Sequence, residues 1–336
     1  MARFSHIGSI AVLAVLPALA AAAPALSTPS FCVYDPLGTH GEAFGMARDQ
    51  ALIARQWGAD LKLRAYTDER VAAEDFKAGQ CDGVAITTIR ARQFSPFVGS
   101  IDSVGALPSQ RHMRLLLEAL ADPRLSPHMI NGDYEVAGVI PMGAAYVMVT
   151  DRRINSVEKA AGKKVAVLDI DRAQAKIVQR LGAQPVASDL SNFAGKFNNH
   201  QVDVLVAPVL LYQPLELYKG IGTQGAVYRF PLGQISATLL IHRDRFPAGY
   251  GQKSRAYVLT QADKAFDIVN RAEHDIPESQ WMTLSAQDQA RYVQMMRDAR
   301  DQLTTEGIYD AAMMRLLHNI RCKVDPSSAE CTVAAK

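Results

Sequence analysis

The sequence is short of the features from which chemistry is usually read. Of its 336 residues only four are cysteine and two tryptophan, and no CxxC occurs, so neither a redox dithiol nor a zinc knuckle has a basis. No phosphate loop of the Walker type, no GxSxG elbow and no HExxH pair is present. The eight histidines form no i, i+4 pair with an acidic neighbour, which leaves a metal site unsupported. Charge of neither sign is in excess. With 36 Lys and Arg against 34 Asp and Glu, the chain offers no field for nucleic acid or an anionic membrane surface. After residue 23 no apolar run is long enough to span a bilayer. What is there is ordinary: 49% hydrophobic and 21% charged residues, the composition of a soluble globular protein. The length exceeds the roughly 250–300 residues at which one core stops growing, so two domains are expected.

The single long apolar run lies at the start. Arg3 and His6 precede the uncharged residues 7–23, and Ala18-Leu19-Ala20 supplies the small-x-small pattern of a signal peptidase site. The run is alanine-rich, breaks at Pro17 and Pro24, and meets no basic stop-transfer cluster. Residues 1–20 therefore read as a secretory signal, not a transmembrane anchor. Ser30-Phe31 before Cys32 lacks the small residues of a lipobox. The expected product is soluble and periplasmic. In that oxidising space the even set Cys32, Cys81, Cys322 and Cys331 reads as disulfides, with three connectivities open. Pairing 32 with 81 and 322 with 331 is favoured, because Cys32 and Cys81 each open a short apolar segment and Cys322 and Cys331 would close a short loop.

Along residues 31–88 short β-like runs alternate with helical ones. Residues 31–34, 61–66 and 81–87 read as strands, and Phe44, Ala47, Ala51 and Ala54 fall on one helical face. Thr67 or Asp68 can cap the helix carrying Val71, Ala72 and Phe76, which stops at Gly79. A second series starts near Ala144, with strands at 146–149, 165–168 and 202–207, a helix capped by Asp171, and a helix-like stretch over 210–218. Residues 227–230 and 235–241 are strand-like, and the rest is mostly helical, with Trp281, Tyr292, Met295 and Met296 as helix core contacts. Strands alternating with helices imply βαβ units and parallel pairing.

Gly220-Ile221-Gly222-Thr223-Gln224-Gly225 spells GxGxxG, but a phosphate-cradling loop must follow a strand and open a helix. Here the order is reversed, so the motif reads as a turn and no cofactor is expected. The residues that remain are polar groups just after strands. They are Tyr34 and Asp35; Thr67; Thr87, Thr88 and Arg90, with Arg92 beyond; Asp169, Asp171 and Arg172; and Tyr212 on the following helix. In open parallel sheets the carboxyl ends of strands face the crevice where ligands bind, which makes this set the candidate ligand-binding residues. Thr67, Asp68 and Asp171 read equally well as helix caps.

Several segments resemble a known family. Asp151-Arg152-Arg153-Ile154 through Gly162-Lys163-Lys164-Val165, then Leu181-Gly182-Ala183-Gln184-Pro185-Val186 and residues 199–203, resemble the solute receptors of TRAP-type transporters. Lys77-Ala78-Gly79-Gln80-Cys81-Asp82-Gly83 resembles a helix-end element of that family, and Trp281 with Leu284 its C-terminal Trp-x-x-Leu. The chain is similar to a divergent branch of these dicarboxylate-receptor-like proteins. The resemblance implies an α/β fold of the type II periplasmic binding protein kind, two α/β lobes with parallel-rich sheets, a hinge and C-terminal helices. Aligned on Gly162, the family's ligand-gripping arginine falls at Ala166, and alanine cannot replace a bidentate guanidinium.

The expectation is a binding protein, not an enzyme. Lobe I would comprise residues 28–143 and 236–336, and lobe II residues 144–235, with a hinge near 143–145 and 232–235. It would capture a small solute, an organic acid or another polar molecule, and deliver it to membrane permease subunits; no nucleic acid partner is expected. The alternative is an extracytoplasmic sensor or envelope accessory protein that kept the fold without transport.

Overall fold

The computed structural model describes residue 1 and residues 27–332. The expected signal segment, residues 1–20, lies outside the described residues apart from Met1. The first half of the chain runs β1 (Ser30–Tyr34), α1 (Glu42–Ala54), β2 (Lys62–Tyr66), α2 (Glu69–Lys77), β3 (Gly83–Thr87), α3 (Thr88–Ala91), α4 (Gln110–Ala121), β4 (Ile130–Asn131) and β5 (Tyr134–Val149). There follow β6 (Lys164–Leu168), α5 (Arg172–Arg180), β7 (Gln184–Ser188), α6 (Phe193–Asn198), β8 (Val204–Pro208), α7 (Tyr218–Ile221) and β9 (Ala226–His242). The chain ends with α8 (Tyr250–Thr260), α9 (Ala262–His274), β10 (Trp281–Met282), α10 (Ala286–Thr305), α11 (Ala311–Val324) and α12 (Ala329–Thr332).

The main strands form one mixed sheet in the order β2-β1-β3-β9-β5-β8-β6-β7. Pairing is parallel within each flank, β2-β1-β3 on one side and β8-β6-β7 on the other. It is antiparallel where β9 and β5 meet each other and their neighbours β3 and β8. These two long strands are a ribbon joining the flanks. The C-terminal part of β9 pairs β3, while the C-terminal part of β5 pairs β8. Their register slips between Pro141 and Gly143 and again from Ala145 to Met148. At the slip after Pro141, Gly143 has φ +94°, and a Cβ there would stand 2.6 Å from Val269 Cγ1, so only glycine fits the bend.

The helices follow local rules. Asp68 caps α2 by accepting from the amides of Arg70 and Val71, and Asp171 caps α5 through Ala173 N. On α4 the buried His112, Met113, Leu116, Leu117 and Leu120 share one face, each buried leucine stabilising by about 1.5–3 kcal/mol over exposure. With Phe76, Ile86, Met313 and Leu317, Met113 and the three leucines form the core beneath the first flank. Phe31, Val33, Phe44, Tyr250 and Val258 pack its other face. Met148, Leu205, Phe197 and Val269 make one core of the second flank, and Val147, Val165, Val178, Tyr228 and Tyr292 the other. Helix α9 serves both flanks, with Phe266 in the first core and Val269 in the second.

Both disulfides pair as expected. Cys32 joins Cys81, on and beside the adjacent strands β1 and β3, and Cys322 joins Cys331. Three expectations change. The strands expected separately at 227–230 and 235–241 are one continuous strand, β9, bent at Pro231 and Gly233 where its partner β5 slips register. Trp281, read as a helix contact, lies in β10 and pairs with Val227 of β9. The helix expected over 210–218 is a short 3-10 turn at Val209–Leu211 and the single turn α7, since Pro214 removes an amide donor in its middle. The GxGxxG segment runs from α7 into β9, the reversed order already inferred.

Candidate ligand cavity

The carboxyl ends of β1, β3, β6 and β8 meet where the ribbon crosses, and a cavity of about 250 Å³ opens there. This is near the lower end of small-ligand pockets, roughly 300–1,000 Å³. From the first flank the wall takes Tyr34 and Asp35 of β1 and its exit, Ala85, Ile86 and Thr87 of β3, and Gln50 of α1. From the second it takes Ala166 and Leu168 of β6, Leu205 and Ala207 of β8, and Leu211 just beyond. The ribbon supplies Ile140, Met142 and Ala145 on one strand and Ile235, Ala237 and Leu239 on the other. Small side chains along the strands, Ala85, Ala145, Ala166, Ala207 and Ala237, make the room. Among the described residues of this wall there is no lysine, arginine or histidine.

The candidate residues divide into three groups, with Asp171 apart from them. Tyr34, Asp35 and Thr87 stand in the cavity wall. Burial, with the carboxylates of Glu69 and Asp35 adding, raises the Tyr34 phenol, so it stays protonated. Asp35 is 4% exposed and accepts from Leu37 N at 2.9 Å and Phe44 N at 3.2 Å. Its carboxylate therefore caps the start of α1, and Gly41 is needed beside it because a Cβ there would collide with that carboxylate. Thr87 accepts from Arg90 N through its hydroxyl and donates its own amide to Glu69 Oε1.

A second group is buried and engaged elsewhere. Thr88 is fully buried, hydrogen-bonded to Ser236 Oγ and Thr238 Oγ1. Arg90 donates from Nε to Glu69 Oε2 at 2.6 Å, with both side chains buried. Burial pushes the Glu69 carboxyl up, opposed by the charge of Arg90. Tyr212 is buried in the second-flank core and donates to Gln280 Oε1. Thr67, Asp169 and Arg172 form the third group; they are exposed and lie outside the wall.

Asp171 borders a second cavity of about 140 Å³, which shares Ile89, Ala145, Gln174, Val206 and Ile235 with the first. Arg92 donates from Nη1 to its carboxylate at 3.0 Å. Asp102 stands in the same wall and accepts from the amide and hydroxyl of Ser236 at 3.1 and 2.7 Å. Burial raises its carboxyl to about 7, against those two hydrogen bonds. No sequence signal marked Asp102. The apolar wall was missed for another reason, because its alanines and leucines read as core.

The family model described as solute-binding protein AdeT 1/2 matches residues 48–336. The chain is 49% identical over 301 residues to the probable solute-binding protein AdeT1 of Acinetobacter baumannii, covering 90% of this chain and 99% of that protein. It is 32% identical to the probable solute-binding protein AdeT2 of the same organism, over 70% of this chain and all of that one. Among solved structures, a TRAP periplasmic solute-binding protein from Desulfovibrio salexigens with bound orotic acid superposes with a TM-score of 0.72 at 15% identity, over 89% of this chain and 99% of that one. DctP7 of Bordetella pertussis, an extracytoplasmic solute receptor binding pyroglutamic acid, gives 0.71 at 11% identity, over 88% and 99%. At these identities the superpositions establish the shared fold.

Proposed function

We propose, for a chain that belongs to the solute-binding protein AdeT 1/2 family, a cycle of capture and delivery in the periplasm. A small solute enters the cavity, touches both flanks of the sheet and so stabilises a closed state; a membrane transporter of the TRAP kind then receives it. Residues 28–143 and 236–336 would move as one lobe and 144–235 as the other. The slipped register and Gly143 on β5, with Gly233 of β9, the partner of Ala145, at φ +146°, supply the hinge. Ligand shifts the open-closed balance by as much as it binds the closed state better. No bond is made or broken in such a cycle, so wall residues govern affinity and not turnover. The signal-like segment at residues 1–20 supports export, and no helix among the described residues is long and apolar enough to cross a membrane.

The observation that carries this reading is the position of the cavity, which takes its wall from both flanks and from the ribbon that joins them. Calorimetry of refolded, ligand-stripped protein against a broad metabolite panel, paired with small-angle scattering, tests it. The expected result is one saturable ligand and a more compact particle when it is bound. Absence of binding across the panel, or binding with no compaction, would contradict the cycle.

A further inference from the structure

Solute capture leaves the kind of solute open, and the wall of the cavity narrows it. A carboxylate held in an apolar site needs a charged partner or several aimed amides, since an ionised group taken from water unpaired costs several kcal/mol or more. Neither is on offer. Among the described residues the walls of both cavities contain no lysine, arginine or histidine. Ala166, at the position where the family resemblance puts an arginine, is part of the wall. The arginines that follow β3 are outside both walls and paired with carboxylates, Arg90 with Glu69 at 2.6 Å and Arg92 with Asp171 at 3.0 Å.

The helix starts facing the crevice are also taken. The N-terminus of a helix attracts anions through its free amides and dipole. At α1 that place is filled by the protein's own Asp35, which holds the amide of Phe44. At α5 it is filled by Asp171, which holds Ala173 N, and at α3 by the Thr87 hydroxyl, which holds Arg90 N. An incoming anion would meet carboxylates where it needs donors. Of the polar groups left over in the first wall, the Glu42 carboxylate is exposed to solvent and the others are neutral. The Tyr34 hydroxyl and the Gln174 amide nitrogen line the cavity and have no hydrogen-bond partner among the described residues, while Gln174 Oε1 already accepts from Leu168 N.

Resting on the capture reading above, we infer that the solute is an uncharged molecule with an apolar body and one or two hydrogen-bonding atoms, and not an organic anion. The body would lie against Ile140, Met142, Leu205 and Leu211, and the polar atoms would meet Tyr34 and Gln174.

The test uses the full ligand-stripped protein and three probes: neutral N-phenyl-1-naphthylamine followed by fluorescence, and succinate and orotate followed by calorimetry. The naphthylamine is expected to bind saturably at one site, with neither anion binding or displacing it. Leu211→Lys, which puts a charge at the half-buried wall, should weaken the naphthylamine by roughly tenfold or more with unchanged circular dichroism; Met142→Lys serves as the second variant if the first misfolds. Succinate or orotate binding that compacts the protein, with no naphthylamine binding, would overturn the ligand class while leaving capture intact. Naphthylamine binding that neither variant changes would place the probe elsewhere and also overturn it. If none of the probes binds and the metabolite panel is silent, the capture reading fails first and this inference with it.

Discussion

Arg92 and Asp171 form an ion pair at 3.0 Å between the segment after α3 and the residue that caps α5. The two residues follow β3 and β6 on opposite flanks of the sheet, and Asp171 stands in the wall of the second cavity. Arg92 also donates from Nε to Gly99 O and lies over the Tyr309 ring, so its guanidinium is held in place before it meets the carboxylate. With both side chains largely shielded from water, at 17% and 10% exposed, the pair is screened less by salt than a surface bridge. In the proposed cycle it would be a contact made only while the flanks are close.

Breaking that contact should favour the open form. Arg92→Gln is expected to enlarge the particle seen by small-angle scattering without ligand, and to weaken solute binding several-fold while the ligand-saturated particle keeps its size. An unchanged particle and unchanged affinity would show that the pair does not report on closure.

Asp102 sets a pH dependence. Folded, it keeps its proton up to about pH 7, whereas a free aspartate releases it near 3.8. Between those values the folded state binds more protons than the unfolded one, so this group's contribution is complete below about pH 4 and fades as pH rises through 7. Asp102→Asn keeps a neutral partner for Ser236 and removes the titration. Its melting temperature relative to the native protein should therefore rise from pH 5 to pH 8, and a difference that is flat over that range would contradict the assignment.

The Arg90–Glu69 pair is structural. Arg90→Met leaves a buried carboxylate without its cation and should destabilise by about 3–5 kcal/mol in urea unfolding. Adding Glu69→Gln, which still accepts from Thr87 N, should recover much of that loss. A double variant as unstable as the single one would show that the arginine matters through packing alone.

The disulfides should differ in weight. Cys32–Cys81 spans 49 residues and Cys322–Cys331 only 9, and the longer loop loses more freedom when closed. Replacing the first pair by alanine is expected to cost about 2–4 kcal/mol in urea unfolding, the second pair less. Equal losses would argue that the short loop acts through what it holds, such as Glu330 between Arg321 and Arg300.

Much of the fold was legible because the flanks are built from simple repeats. The alternation over residues 31–88 marked β1 to β3, and Asp68 and Asp171 marked helix starts that the structure keeps. The ribbon was legible only in pieces. Pro141, Gly143, Pro231 and Gly233 look like breaks, and what they produce is bends within β5 and β9, strands that pairing on both sides carries through. The candidate cavity was legible in part. Polarity at strand ends led to Tyr34, Asp35 and Thr87, which reach the wall, and to Thr88, Arg90 and Tyr212, which the core consumes. Ala166 and Ala207 line the cavity, yet nothing in a sequence separates a small residue facing a cavity from one facing a core.

Native mass spectrometry of the protein purified without refolding tests the central claim most directly, with Ala207→Trp as the cavity-filling comparison. The native protein should carry a single small-molecule adduct at one per chain, and the folded variant should carry none. Absence of an adduct from the native protein, or the same adduct at equal occupancy in both, would contradict capture in this cavity.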